Sequence, residues 1–491
     1  MIAFAAWRVS LRRMTDTARP ALHIPFDNSY GTLPDRFYHR QSATPVKAPK
    51  LLAFNHALAA DLGISAGTES EAAEVFGGNQ VPDGADPLAQ VYAGHQFGGF
   101  SPQLGDGRAL MLGEVLDPNG QRYDIQLKGS GRTPFSRNGD GRAWLGPVLR
   151  EYLLSEAFHA LGVPTTRALA AVDTGERVQR ETGLPGAVLT RVASSHIRVG
   201  TFQFFYARGD VEALKALFDY TVARHYLAAE TPLDLLQAVI KRQVALVVKW
   251  MSIGFIHGVM NTDNTSLSGE TIDFGPAAFM DTYHPVTVYS SIDHQGRYSY
   301  DNQANIIAWN MAQFASSLVP LVENTDAAVK EFTAAVNAMP ALIRGEWRQV
   351  FAQKIGITHV RDGDETLISD LLTRMAEGRA DFTNTFRALS FGNARDQFTD
   401  PAQFDDWETG WRKRLQDEPE PEALMAAVNP YVIPRNHLVE QMIQAAVEGD
   451  YAPFERLQQV LSRPYETQPE AEDLTRPPLD SEVVQATFCG T

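Results

Sequence analysis

The sequence predicts an α+β fold with two lobes, a small strand-rich N-terminal lobe over residues 26–205 and a larger helical C-terminal lobe over residues 206–464. Two observations favour this division. Between about Tyr92 and Val172, glycines separate short alternating patterns that are typical of strands. After about residue 205, apolar residues recur mostly at helical spacing. The segments 1–25 and 465–491 are expected to be terminal tails, the second extended or mobile.

Composition excludes several classes of protein. The chain has 491 residues and a formal net charge of −16, which disfavours broad binding to nucleic acid because an acidic surface repels phosphate backbones. It contains no apolar run of about 18 residues, so no membrane-spanning helix is expected. Its single cysteine, Cys489, cannot form an internal disulfide. We expect a monomer of the bacterial cytoplasm, or a mitochondrial protein if the source is eukaryotic.

A β-hairpin is predicted in the first lobe. Ala109–Val115 and Gln121–Lys128 flank a Pro-Asn-Gly turn, and an alternating pattern on both sides of such a turn is a hairpin signal. Lys128 ends the second strand on its polar face. Ahead of this hairpin, Ala66–Asp86 is rich in Gly, Glu and Asp and is expected to be irregular surface chain.

A helix is predicted to follow from Gly146 to Leu161, because a proline lies at its start and Gly162 lies just past its end. It carries Glu151 near its N-terminus. A strand lysine paired with a helix glutamate positions the phosphates of ATP in kinases, so Lys128 and Glu151 are candidates for that pair. Glu156 is an alternative partner for the lysine, since spacing does not separate the two glutamates.

Three glycine-containing segments surround the lysine, and they are Gly105-Asp106-Gly107-Arg108, Gly129-Ser130-Gly131 and Asp140-Gly141-Arg142. Glycines let backbone N–H groups approach a phosphate closely, although such segments are also common surface turns. Further along, a predicted strand over Ala187–Val192 delivers Arg191, and Arg198 follows seven residues later. Two such arginines can clamp a polyphosphate through bidentate bonds or form surface salt bridges.

The most specific signal is the segment from His257 to Asn264, followed closely by Ile272-Asp273-Phe274-Gly275. Protein kinases have a catalytic loop that ends in a metal-binding Asn, and an Asp-Phe-Gly whose Asp binds Mg²⁺ follows it. Here Asn264 and Asp273 are nine residues apart, and a glycine-containing hairpin is expected over Thr265–Ile272 between them. An amide oxygen and a carboxylate suit a hard cation.

The same segment departs from a kinase at one position. Aligning its histidine with that of a kinase places Val259 where the catalytic Asp belongs, and valine cannot accept a proton. Asp263, beside the metal-binding amide, is then the base that the segment retains. This argues against phosphate transfer with ordinary kinase geometry.

With these motifs assembled, the chain resembles the selenoprotein O family of protein adenylyltransferases, which have a protein-kinase-like fold. The resemblance runs from about Phe26 to Pro464 and is densest at YAGHQFGGFSPQLGDGRA, DIQLKGSGRTPFSRNGDGRAWLGPVLREYL, SSHIRVGTFQFF and GFIHGVMNTDNTS…IDFGP. It implies a nucleotide that is flipped relative to a kinase, with its β and γ phosphates buried and its α phosphate facing the acceptor.

The resemblance also implies roles for individual residues. It implies that the nucleotide is contacted by Gly105, Gly107, Arg108, Asp140, Gly141 and Asp273, and that its phosphates are held by Lys128 (fixed by Glu151), Arg191 and Arg198. Asp263 would accept a proton, and Asn264 and Asp273 would bind Mg²⁺, with Mn²⁺ as the alternative metal. The position of Cys489 is one where some members carry selenocysteine. Since no second cysteine exists, only an intermolecular disulfide, a glutathione adduct or no role remains.

The function that these residues favour is transfer of AMP from ATP to Ser, Thr or Tyr hydroxyls of proteins, with release of pyrophosphate. Three alternatives stay open at the level of sequence, namely transfer of UMP from UTP, an atypical phosphotransferase, and an inactive ATP-binding scaffold. The intact Lys128, Asn264 and Asp273 argue against the scaffold, and Val259 argues against the phosphotransferase.

Overall fold

An antiparallel eight-stranded sheet dominates the N-terminal half of the protein in the computed structural model, which describes residues 21–488. The strands are β1 (Tyr38–Arg40), β2 (Lys50–Phe54), β3 (Leu88–Gln90), β4 (Gly94–Gln96), β5 (Gly99–Ser101), β6 (Ala109–Leu116), β7 (Arg122–Lys128), β8 (Ala143–Trp144), β9 (Arg167–Gln179), β10 (Gly183–Ala193), β11 (Phe255–Ile256) and β12 (Ala278–Phe279). The order in the large sheet is β1-β3-β6-β7-β10-β9-β2, with β8 on β10, while β4–β5 and β11–β12 form separate pairs.

The predicted hairpin is confirmed, because β6 and β7 pair with Ala109 opposite Lys128. On its other side β7 pairs with β10, where Leu189 lies opposite Lys128 and Arg191 lies opposite Gln126. Residues that are directly opposite in antiparallel strands share a face, and so do residues two apart on one strand. This register therefore places the Lys128 and Arg191 side chains on the same face of the sheet.

Helices make up most of the C-terminal half. The helices are α1 (His56–Asp61), α2 (Glu69–Phe76), α3 (Leu145–Ala160), α4 (Val199–Tyr206), α5 (Val211–His225), α6 (Pro232–Ser252), α7 (Gln303–Leu318), α8 (Thr325–Asn337), α9 (Met339–Lys354), α10 (Asp364–Glu377), α11 (Phe382–Leu389), α12 (Ala402–Leu415), α13 (Pro421–Val428), α14 (Asn436–Val447) and α15 (Ala452–Leu461). The prediction of a strand-rich N-terminal region and a helical C-terminal region is thus confirmed.

Helix α3 positions the site, since it carries Glu151. It begins and ends within one residue of its predicted limits and packs against β9 and β10 on one side. On its other side it packs against α14 and α15, so the last helices of the chain share a hydrophobic core with α3 and the sheet. The limits predicted for the two lobes stay a prediction.

Two local predictions are wrong. The segment Ala66–Asp86 is not irregular throughout, because it contains α2, whose inner face is buried against the sheet. Thr68 begins this helix with a capping box in which its hydroxyl and the Glu71 carboxylate each bind the other's backbone amide. The segment Thr265–Ile272 does not pair with itself as a hairpin. Instead it forms single bridges to other parts of the chain, at Arg198 and at Thr165.

The C-terminal segment lies against the body of the protein as far as it is described. Residues Pro469–Leu474 form a 3₁₀ helix that buries Ala471 and Leu474, and Thr487 pairs with Ser290. Cys489, the start of the predicted N-terminal tail and the end of the predicted C-terminal tail lie outside the described residues. Over residues 21–488, no helix is both long enough and apolar enough to cross a membrane.

Candidate active site

A network of five charged side chains lies where the sheet meets the segment around Asp273. Lys128 Nζ donates to Glu151 Oε2 and to Asp273 Oδ1, each at 2.6 Å. Arg191 Nη2 lies 2.5 Å from Glu151 Oε1 and 2.6 Å from Asp273 Oδ1. Glu151 is therefore the partner of the lysine, while the alternative, Glu156, binds Arg167 elsewhere.

Arg198 completes this network from the helical side. It immediately precedes α4, and its Nη1 donates to the main-chain oxygen of Asp263 at 2.7 Å and to Asp273 Oδ2 at 3.4 Å. Its guanidinium lies over the ring of Tyr92, 4.4 Å from the ring centroid, where the face of an aromatic ring attracts a cation. Arg198 thus joins Asp263 to Asp273.

The electrostatics of the network follow from burial and from the three cations. Burial raises the pKa of Asp273, but Arg191, Lys128 and Arg198 outweigh burial and hold that pKa well below its usual value. Burial likewise opposes ionisation of Glu151, and Arg191 and Lys128 again prevail, so its pKa is lowered. Both carboxylates are therefore charged at neutral pH. Asp273 also has a φ of 64°, a left-handed conformation that is costly for a residue other than glycine and that is common at functional sites.

Asp263, the predicted base, lies in the 3₁₀ turn Thr262–Asn264 and is only 7% exposed. Its Oδ2 accepts a hydrogen bond from Gln96 Nε2 at 3.1 Å, and its Oδ1 is buried with no partner. Burial raises its pKa to about 6, against the opposing effect of Arg198. Gly94 packs directly on this carboxylate, since a Cβ built there would lie 2.3 Å from Oδ1.

Asn264, the predicted metal ligand, has an oriented amide. Its Nδ2 donates to the main-chain oxygen of Val259 at 3.0 Å, which leaves Oδ1 as an acceptor for another group. His257 is fully buried, and its Nε2 lies 2.9 Å from the main-chain oxygen of Ile272. This contact ties the segment that carries Asp263 and Asn264 to the residue before Asp273.

The glycine-containing segments lie together at the end of β7. Gly105 and Gly107 both pack on the segment around Phe135, where a side chain at either position would clash. Gly129 donates to the main-chain oxygen of Arg108 at 2.7 Å, and Gly131 donates to that of Gly141 at 3.0 Å.

Two of the predicted contact residues differ in their surroundings. Arg108 lines a small cavity together with Lys128, Glu151 and Leu189. Asp140 is exposed and pairs instead with Arg180, 2.8 Å away. The structure therefore brings Arg108 close to the charged network and leaves Asp140 outside it.

Sequence reasoning missed several side chains that complete the site. Tyr92 lies under Arg198, Gln96 binds Asp263, and Gln126 Oε1 accepts from Arg191 Nη1 at 3.3 Å. The position of Gln126 could have been predicted, because it lies two residues before Lys128 on the same strand face. Tyr92 and Gln96 lie in the run of small and aromatic residues from Tyr92 to Phe100. This run has no helical or strand periodicity, so the sequence carries no signal for the roles of these two residues.

The residues around Asp273 can hold a metal only with help from a ligand. Within residues 21–488 there is no group of three or more His, Cys, Asp or Glu side chains arranged to bind an ion. Mg²⁺ is usually bound by one or two protein oxygens together with substrate phosphates and water. Asp273 and the free Oδ1 of Asn264 fit that kind of site, because carboxylate and amide oxygens are ligands that a hard cation prefers.

Similarity to known proteins identifies the family of this chain. The family model described as protein adenylyltransferase SelO matches residues 20–462. A protein of Ruegeria sp. (strain TM1040) named protein nucleotidyltransferase YdiU is 64% identical over 470 residues, which is 96% of this chain and 100% of the relative. Relatives of the same name from Ruegeria pomeroyi and Roseobacter denitrificans are 64% and 60% identical, each over 95% of this chain and 99% of the relative. The chain therefore belongs to the SelO family of protein adenylyltransferases and is a nucleotidyltransferase.

Proposed function

We propose that the protein transfers AMP from ATP to Ser, Thr or Tyr hydroxyls of other proteins in a metal-dependent reaction, at a site of protein-kinase-like architecture. One observation carries this proposal. Three cationic side chains converge on Asp273, and one of them, Arg198, also bonds the main chain of the buried base Asp263. The groups that we propose for phosphate binding and the proposed proton acceptor therefore lie side by side.

The cations would bind the β and γ phosphates. Lys128, Arg191 and Arg198 are all buried or nearly so, and a polyphosphate gripped there by bidentate and charge-assisted bonds has its far end inside the protein. The α phosphate is then the reactive centre that remains accessible to an acceptor. The same side chains would stabilise the charge that develops on pyrophosphate as it leaves.

Asp263 would act on the incoming hydroxyl. The hydroxyl oxygen attacks the α phosphorus, the bond from that phosphorus to the bridging α–β oxygen breaks, and the hydroxyl proton passes to the carboxylate of Asp263. A bound Mg²⁺ would neutralise charge on the phosphates during this step. Asp273 and Asn264 would hold that ion, and Gln96 keeps the Asp263 carboxylate oriented.

Val259 supports AMP transfer over phosphate transfer. The equivalent position of a protein kinase carries the carboxylate that receives the acceptor proton, and here an apolar side chain occupies it. Asp263, four residues further on, is close to the metal-ligand candidates instead, which suits attack at a different phosphorus.

Parallel labelling tests the proposal. The purified protein is incubated with Mg²⁺ and a bacterial protein extract, once with α-labelled ATP and once with γ-labelled ATP. We expect label on protein from the α position alone, stoichiometric pyrophosphate in solution, and no label with Asp263→Asn or Asp273→Ala. Label from the γ position would indicate a kinase, and retained ATP binding without any label would indicate a scaffold. Either outcome would refute the proposal.

A further inference from the structure

Arg297 is a cation whose charge the protein leaves uncompensated. Among residues 21–488 no carboxylate lies within ion-pair distance of it, and its Nε and Nη2 are buried without a hydrogen-bond partner. No other described guanidinium has two such nitrogens. Buried donors without partners cost free energy, so an arginine in this state is a candidate for binding an external anion.

The side chain is nevertheless held in a fixed place. Its guanidinium lies over the ring of Trp309, 4.8 Å from the centroid, and Gly98 covers it from another side, since a Cβ built on Gly98 would lie 3.7 Å from Arg297 Cζ. The nearby carboxylate of Asp293 is occupied by the backbone, because it accepts from the amides of Arg297 and Tyr298 at 2.9 and 2.7 Å. Asp293 therefore fixes the turn without neutralising the guanidinium.

This fixed cation is connected to the segment of the proposed base through two sets of contacts. Gly98 is at the tip of the hairpin 94–101, formed by β4 and β5, and Gln96 of the same hairpin binds Asp263. Tyr298, next to Arg297, donates its hydroxyl to Asn261 Oδ1 at 2.7 Å, two residues before Asp263. The hairpin and the segment around Arg297 therefore both contact the segment that carries Asp263.

The surrounding surface has the composition of a binding site for a polypeptide. Phe100 of the hairpin is 41% exposed and lies against His95, 4.8 Å between ring centroids, and His95 in turn lies 5.2 Å from Trp309. Arginine, tryptophan and other aromatic residues are enriched where protein interfaces derive most of their affinity. We propose that Arg297 is a specificity-determining residue that binds a carboxylate of the acceptor protein close to the hydroxyl that receives the nucleotide.

This inference rests on the proposed function, and the acceptor chemistry follows from the site. Arg297 is partly exposed, and the nitrogens of its guanidinium are donors only, so the group selects an oxygen anion over a cation or an amide N–H. The chain as a whole carries a net charge of −16, but charges beyond a Debye length of roughly 10 Å are screened at moderate salt, which leaves the local guanidinium to set the preference. The favoured acceptor is thus a hydroxyl residue with Asp or Glu nearby in sequence or space.

Mapping of modified sites tests the inference. Wild type and the variants Arg297→Gln and Arg297→Glu are incubated with a bacterial protein extract, ATP and Mg²⁺, and the modified residues are located by mass spectrometry. Wild-type sites should be enriched in Asp and Glu, Arg297→Gln should lose that enrichment, and Arg297→Glu should shift it to Lys and Arg. Losing the charge-assisted bond should lower kcat/KM for a peptide copied from an acidic site by about tenfold, while KM for ATP stays unchanged.

The controls separate the possible failures. Lys330→Glu makes the same change in net charge at an exposed position on α8 and should leave the site preference unchanged. If Arg297→Glu does not fold as wild type does, judged by thermal unfolding, the neutral Arg297→Gln carries the test. Wild-type sites without acidic enrichment, or the same enrichment in Arg297→Gln, would overturn the inference and leave the proposed function intact. No modification by wild type at all would instead overturn the proposed function.

Discussion

Replacing Asp273 by asparagine separates its two electrostatic roles. In the structure its carboxylate is shared by Lys128, Arg191 and Arg198, the same cations that we propose for the phosphates. Without a metal, the carboxylate competes with the nucleotide for these cations. With a metal, it becomes a ligand and attracts the nucleotide indirectly. Asp273→Asn should therefore strengthen metal-free binding of ATP and abolish the effect of Mg²⁺ on binding.

The magnitude follows from the distances in the network. Lys128 Nζ is 2.6 Å from Asp273 Oδ1, so a phosphate oxygen bound to the same ammonium lies roughly 4 Å from that carboxylate. Two unit charges at about 4 Å interact by about 4 kcal/mol at an effective dielectric constant of 20. The Asp273 side chain is 24% exposed, and solvent screening reduces this repulsion. We expect a gain of about 1.4–2.8 kcal/mol, or about tenfold to a hundredfold in Kd.

Calorimetric titration with α,β-methylene ATP measures this effect without turnover, once in EDTA and once in Mg²⁺. Asp405→Asn is the matched control, since Asp405 is also paired with an arginine but lies on the exposed surface of α12. The control should bind as wild type does under both conditions. Two results would contradict this reasoning. One is a metal-free affinity of Asp273→Asn for the nucleotide at or below that of wild type, and the other is an affinity of Asp273→Asn that still rises when Mg²⁺ is added. Either would show that Asp273 does not leave the basic side chains to bind the metal.

Three further predictions concern other parts of the molecule. Lys354 is buried with Asn429 Oδ1 as its hydrogen-bond acceptor, and burial lowers its pKa from 10.5 to about 7. Between pH 7 and 10.5 the unfolded chain then binds more protons than the folded protein, so the free energy of unfolding should rise with pH in that window. In Lys354→Met this rise should be absent. Chemical denaturation at several pH values measures both. Gly94→Ala, whose Cβ would meet the Asp263 carboxylate, should lower kcat at least about tenfold and leave KM for ATP unchanged in steady-state assays. Glu151→Gln, which removes a buried charge from the network, should lower the free energy of unfolding by about 3–5 kcal/mol in denaturant titrations without nucleotide.

The local elements of the site were predictable because strong local signals specify them. The turn before β7 and the limits of α3 are determined by Pro, Asn and Gly at fixed positions, and these two elements carry Lys128 and Glu151. The register of β7 in the sheet then follows from its pairing with β6 and β10. The capping box of α2 was also readable from Thr68 and Glu71, but the acidic composition of the segment obscured it.

The parts that were not predicted depend on contacts between distant segments. Gln96 meets Asp263 across 167 residues, and Arg198 pairs with Ser266, which replaces the hairpin expected after Asn264. Neither contact leaves a periodic pattern, because each involves one side chain or one backbone bridge. The choice between Glu151 and Glu156 depended on which face of α3 meets the sheet, and burial of the helix on two sides removes the amphipathic pattern that would have indicated it.

The two carboxylates of the network differ in a way that suits a site that binds and releases a charged ligand. Glu151 is 4% exposed and uses both oxygens, one for Lys128 and one for Arg191, whereas Asp273 is 24% exposed and depends on the same cations without burial of comparable depth. Three cations and two carboxylates leave a net charge of about +1, which limits the free-energy cost of burying these charges in the free protein. Asp273 is the carboxylate that can exchange partners, because solvent and ligand reach it, while Glu151 maintains the positions of Lys128 and Arg191 throughout. Loss of charge at Glu151 should therefore lower stability more than loss of charge at Asp273, and loss at Asp273 should alter nucleotide binding more.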